Sequence, residues 1–144
     1  MLVIGEPKPL PALAGVALEQ HPWSADTEAE LLSRCHVGLS PLPDDEWCQF
    51  KSGYKLIQYM AAGRAAVASP VGANNFVLSG NETGLFAKGD GDWYQAIDRL
   101  RRDPALRQRM AGNGRRRAEA LFSIDVIGQK LVTLIKAAAR VSHG

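Results

Sequence analysis

Short runs rich in apolar and β-branched residues alternate with segments that carry helix signals, and this alternation restricts the fold more than any other feature of the chain. The runs at residues 2–4, 16–18, 37–40, 65–68 and 84–87 are brief and bounded by Gly, Pro, Ser or Asp, as strands are. Between them, Thr27-Glu28-Ala29-Glu30 has the capping-box spacing ahead of Leu31 and Leu32, which predicts a helix over 27–34. A second helix is expected from Ser52 as N-cap, through Leu56, Ile57 and Met60, to a left-handed stop at Gly63. A short helical turn is expected after Asn74 or Asn75. Strand, helix and strand in this order imply crossover connections, and hence a parallel sheet with helices on its faces. The expected fold is α/β: a Rossmann-like, doubly wound parallel sheet of about five strands in a single domain spanning residues 1–144.

Beyond residue 87 the pattern is wholly helical. Asp90 or Asp92 caps a segment bearing Trp93, Ala96, Ile97 and Leu100, Asp103-Pro104 restarts a helix, and Ser123 caps a last one with Ile124, Ile127, Leu131, Leu134 and Ile135 on one stripe. Gly112-Asn113-Gly114 weakens the middle helix and marks a point where it could break. The result is a helical C-terminal extension. Its apolar stripe needs a covering surface, so self-association is expected where that surface is lacking.

Charge excludes some functions. The net charge of +2 conceals −6 over residues 1–50, +1 over 51–100 and +7 over 101–144. Arg101, Arg102, Arg107, Arg109, Arg115, Arg116 and Arg117 could suggest nucleic-acid binding, but they fall on several sides of helices with no interleaved aromatics, which favours a solvated face. No nucleic-acid partner is expected. Cys35 and Cys48 have no paired spacing and are read as reduced, with no Cys-rich metal site. The acids Asp44, Asp45 and Glu46 in a Pro-rich loop are read as solvated rather than as a metal site. No apolar run spans a bilayer and no signal peptide is recognisable, so a cytoplasmic location is expected, with peripheral membrane association open for a longer parent.

In open parallel sheets ligands sit beyond the carboxyl ends of the strands. The richest such loop runs over 41–54 and enters a helix at Ser52-Gly53. Free backbone N–H groups and the positive helix end would face the crevice there, with Gly53 allowing an anion close approach and Lys51 and Lys55 adding charge. A diphosphate seat and an ordinary Ser N-cap with solvated lysines both fit this pattern. Gln58, six residues further on, carries an amide suited to a sugar diol or simply to solvent. Trp23, after the second run, could wall a base pocket or cover the sheet edge.

Residues 51–75, from Lys51-Ser-Gly-Tyr-Lys-Leu-Ile-Gln-Tyr-Met-Ala to Gly72-Ala-Asn-Asn75, resemble the donor-binding half of glycosyltransferase family 4 (group 1) enzymes, as do Glu82-Thr-Gly-Leu-Phe-Ala87 and Trp93. The Asp103-Pro104 stretch and the Leu121-Phe122-Ser123 junction are similar to that family's C-terminal helices, so the likeness covers nearly the whole chain. The resemblance implies a GT-B enzyme, two Rossmann-like domains facing across a cleft, of which this chain matches the second, nucleotide-sugar-binding one. It implies sugar transfer by the parent, no activity of this chain by itself, a nucleotide-diphospho-sugar and an N-terminal acceptor domain as partners, and neither metal nor cofactor. Lys51, Ser52, Gly53, Tyr54 and Lys55 fall where the family holds the distal phosphate and sugar, and Trp23 where its base-contacting loop lies. In the family's Glu-x7-Glu motif the two positions are here Phe50 and Gln58; Gln58 retains the means to hydrogen-bond a ribose. A receiver-like signalling module is the alternative. It requires acids after the first and third strands and a Lys after the fifth, which Gly5-Glu6, Ser40-Pro41 and Lys88 match poorly.

Overall fold

The structure is a computed structural model that describes residues 1–5, 8–80 and 82–141, so Glu6 lies outside the described residues. The chain forms two compact units, Met1–His36 and Val37–Gly144.

In the first unit, β1 (Leu2–Ile4) pairs in parallel with β2 (Glu19–His21), Val3 opposite Gln20, and α1 (Ala25–Ser33) follows. The second strand lies three residues beyond the expected 16–18. Its residues are polar, yet their side chains hold it in place. Gln20 donates to the Lys8 carbonyl and accepts from the Leu10 N–H, while Arg34 reaches both carboxylate oxygens of Glu19 at 2.7 and 2.8 Å. The α1 cap is Ser24, whose hydroxyl accepts from the Asp26 N–H, rather than Thr27.

The second unit is a three-stranded parallel sheet in the order β3 (Val37–Ser40), β4 (Ala65–Ala68), β5 (Gly84–Phe86). The central β4 is fully buried, and its alternating side chains serve two cores. Ala65 and Val67 join Leu85, Ala87, Ala96, Leu100, Leu106 and Met110, whereas Ala66 and Ala68 join Leu56, Met60, Val77, Leu78 and Ala118. Helices therefore cover both faces of the sheet: α5 (Asp90–Arg102) on the first, α3 (Tyr54–Ala61) and α4 (Asn74–Leu78) on the second. The helix α6 (Pro104–Phe122) contributes to both cores and α7 (Ile124–Val141) ends the described chain. A small helix α2 (Glu46–Gln49) precedes α3.

The weakened segment of α6 does not break. Gly114 is buried against Met60, where an added Cβ would lie 3.2 Å from Cγ, so the glycine lets α6 approach α3 closely. Arginines on either side of that segment fasten other helices. Arg117 donates to the carbonyls of Val77 and Phe76 at 2.9 and 2.7 Å at the end of α4, and Arg107 to the Leu100 carbonyl near the end of α5. Arg115 reaches the Ala61 carbonyl at the end of α3. Cations on the unpaired carbonyls of helix C-termini account for much of the basic C-terminal third. Arg117 also stacks over Phe76, itself edge-on to Phe122. Arg117→Ala is expected to destabilise the fold by about 1–2 kcal/mol, measured by urea unfolding.

The α7 stripe stands open, with Ile124, Leu131, Leu134 and Ile135 all more than half exposed. Among the described residues no helix is long and apolar enough to cross a membrane.

Candidate functional site

The carboxyl ends of β3 and β4 are tied together. The Ser69 N–H donates to the Ser40 carbonyl at 3.2 Å, the Ser69 hydroxyl accepts from the Leu42 N–H, and the buried Asn74 amide donates to the Ser69 carbonyl at 3.0 Å. This fixes the turn 69–74 at the sheet rim. The corner formed by α2 and residues 50–53 packs on that turn. Gln49 accepts from the Gly72 N–H at 3.1 Å. Gly72 has φ +52°, and a Cβ there would lie 2.5 Å from the Gln49 carbonyl oxygen and 3.0 Å from that of Cys48. Only glycine permits so close a backbone approach.

The helix α2 has only one turn and needs outside support. Asp45 caps it by accepting from the Cys48 N–H at 2.7 Å, and that bond holds the Asp45 carboxyl below its ordinary value. Cys48, 2% exposed, anchors the helix to the interior. Burial, and then the neighbouring Asp45 carboxylate, push its thiol up, so it stays protonated and inert at neutral pH.

At Gly53 the chain turns into α3. The cap is this glycine, at φ +69° and ψ 19°, not Ser52: the left-handed conformation starts the helix one residue later than expected. The Gly53 carbonyl accepts the first helical bonds from Leu56 and Ile57. Among the described residues no acceptor meets the backbone N–H groups of Ser52, Gly53, Tyr54 or Lys55. They form a run of free donors at a helix N-terminus, beyond the carboxyl ends of parallel strands, with the exposed Lys51 and Lys55 beside them. Gln58 is half-buried and lies on α3 three and four residues after Lys55 and Tyr54, so helical spacing puts the three on one side.

Six of the seven residues singled out from the sequence are thus brought together in the second unit. The seventh, Trp23, belongs to the first. There its indole N–H donates to Glu28 at 2.8 Å, which fixes the ring while leaving it 60% exposed. Sequence reasoning passed over Trp47 and weighed Phe50 only as a departure from a motif. They are 77% and 82% exposed and, with Asp45 and Glu46, line an open groove of about 420 Å³. Two aromatics three residues apart in an acidic, polar loop were the available signal. Asp44 accepts from the Gln49 amide at 2.6 Å, and no group of three or more His, Cys, Asp or Glu among the described residues is placed to hold a metal ion.

The family described as "Glycosyl transferases group 1" matches residues 1–103. No curated protein matches the sequence. Among solved structures, sucrose-phosphate synthase from Thermosynechococcus elongatus is 23% identical, with a TM-score of 0.70, over 86% of this chain and 31% of its own. Anabaena HepE in complex with UDP is 16% identical, TM-score 0.67, over 83% of this chain and 32% of its own. The C-terminal domain of a group 1 glycosyl transferase family protein (LpcC) from Francisella tularensis is 21% identical, TM-score 0.57, over 74% and 54%. These likenesses establish the fold, and the chain spans about a third of the first two structures.

Proposed function

Because the chain belongs to the group 1 glycosyl transferases, we propose that it is the nucleotide-diphospho-sugar-binding part of an enzyme that transfers a hexosyl group to an acceptor with retention of configuration. The observation that carries this reading is the run of acceptor-free amides at the left-handed Gly53 turn. Fixed N–H dipoles at a helix N-terminus suit an anion, and they cost no reorganisation when charge develops on it. In the proposed reaction the bond from the sugar's anomeric carbon to the diphosphate breaks as the bond to the acceptor oxygen forms. The electron pair leaves with the nucleoside diphosphate, whose charge the amides of Ser52, Gly53, Tyr54 and Lys55, with the Lys51 and Lys55 ammonium groups, stabilise. Gln58 takes the ribose. The HepE structures with UDP and with UDP-glucose support the donor class.

No metal or cofactor has a role in this scheme, and no nucleic acid is a partner. The acceptor, and the base that deprotonates it, belong to a partner domain, so the chain by itself binds donor weakly and turns none over. The open α7 stripe serves that domain, or a second copy when the chain stands alone. The parent is placed in the cytoplasm, peripheral at the membrane if its acceptor is lipid-borne.

Calorimetric titration with UDP, GDP and their sugar conjugates tests the assignment. Lys55→Ala is expected to weaken nucleotide binding about tenfold at low salt and less at high salt, as a screened charge should. Gln58→Ala should weaken nucleoside diphosphates but spare inorganic pyrophosphate. Absence of nucleotide binding, or indifference to both substitutions, would refute the reading.

A further inference from the structure

Every side chain of α7 from Gln129 to Ala139 is exposed, apolar and polar alike. A helix in a folded protein draws most of its stability from packing an apolar face, so one left bare calls for a cover. The spacing says what kind. Ile124, Ile127, Leu131, Leu134 and Ala138 recur at intervals of three, four, three and four, the heptad seam that suits a second helix lying alongside at a shallow angle. Asp125, Gln129, Thr133 and Lys136 fall outside that seam, as does the half-buried Val126, so the contact of α7 with α6 leaves the seam free.

The residues that border the seam set the direction of pairing. Lys130 lies on one edge and Ile135 on the other. In a parallel pair opposite edges meet: Lys130 lays its methylenes over the partner's Ile135 and keeps its ammonium in water. In an antiparallel pair like edges meet, so the two Lys130 ammonium groups approach each other and Ile135 stays bare. Ile124, Ile127, Leu131, Leu134 and Ile135 expose on the order of 600 Å² per copy, or about 1,200 Å² in a pair, the lower end of what a specific interface buries. We infer that α7 joins two copies of this chain as a parallel, in-register coiled coil about a two-fold axis along the helices, a weak dimer with a dissociation constant on the order of 10 µM. This inference does not rest on the donor seat, and its failure would leave that reading standing.

The test is sedimentation equilibrium of the chain over a concentration series, in which monomer should give way to dimer. Leu134→Lys puts a charge in the seam and should weaken pairing at least about a hundredfold, whereas Gln129→Lys, outside the seam on the same helix, should change it by no more than about twofold. Both side chains are exposed in the single chain, so circular dichroism should show the fold intact in both variants. Oxidation reads the direction. Ile124→Cys should cross-link to its own counterpart in a parallel pair, while an antiparallel pair would hold the two positions about 15 Å apart along the helices, beyond disulfide reach. The unsubstituted chain, with Cys48 buried and Cys35 half-buried, should not cross-link under the same conditions. A monomer at every concentration, a larger oligomer, pairing indifferent to Leu134→Lys, or a pair in which Ile124→Cys stays reduced would each overturn the inference. So would a monomer that sediments with phosphatidylglycerol vesicles, which would give the stripe to a lipid surface instead.

Discussion

Gly72→Ala should destabilise the protein by about 3 kcal/mol, whereas Gly63→Ala should cost only about 1 kcal/mol. Both glycines have positive φ, +52° and +65°, so both substitutions carry the strain of a left-handed side chain. They differ in what the new methyl group meets. At Gly63, two residues after α3, there is nothing within 4 Å. At Gly72 the methyl would overlap the Gln49 carbonyl oxygen at 2.5 Å, and a backbone oxygen cannot rotate aside as a side chain could. Relief requires the α2 corner to lift from the 69–74 turn. That movement breaks the Gln49 to Gly72 bond and shifts the residues leading into Gly53. Urea unfolding of the two variants checks the difference, and equal losses would mean that the corner and the turn are not clamped. Nucleotide affinity should fall with Gly72→Ala and hold with Gly63→Ala.

The β3 and β4 strands were legible to the residue because each is a short apolar run followed by Ser or Pro, with β4 buried on both faces and β3 buried at alternate residues, so local composition and tertiary environment agree. β2 was not. Residues 16–18 are the more apolar, but Val16 is 42% exposed, and pairing with β1 together with the Gln20 and Glu19 bonds selects Glu19–His21 instead. These are contacts to residues 8–10 and 34, which no local window contains. α2 escaped notice for a related reason: four residues carry no periodicity, and its support is a cap plus one buried thiol. The glycines of α6 read as a weakness in the sequence, yet one of them, Gly114, serves in the fold as room for Met60. The Gly53 turn itself was legible in outline, as a glycine between a strand and a helix with lysines on either side. Its detail was not, since a Ser at 52 looks like the cap until the left-handed φ of Gly53 moves the helix start past it.

That displacement leads to the largest functional effect expected. With Ser52 as cap, its hydroxyl would have satisfied one of the first helical N–H groups; with glycine as cap, the amides of Ser52 to Lys55 are left for a ligand. Gly53→Ala attacks this arrangement directly. Its Cβ would stand 3.1 Å from the Val77 Cγ2 and 3.3 Å from the Asn74 Oδ1, on a backbone already at φ +69°, so the turn must relax and re-aim its amides. If two charge-assisted bonds to a diphosphate are lost or bent, at about 1.5–3 kcal/mol each, UDP affinity should drop by about two to four orders of magnitude. Stability should fall by only about 1–2 kcal/mol, since the new methyl meets Val77 at the edge of the core and leaves Leu56 and Met60 in place. The dissociation is diagnostic: Lys55→Ala removes a screened charge and should become less harmful as salt rises, whereas the loss from misdirected amides should persist. Calorimetry at low and high salt, with circular dichroism to confirm the fold, separates the two effects. A Gly53→Ala protein that binds UDP as the parent does would move the phosphate seat away from this turn.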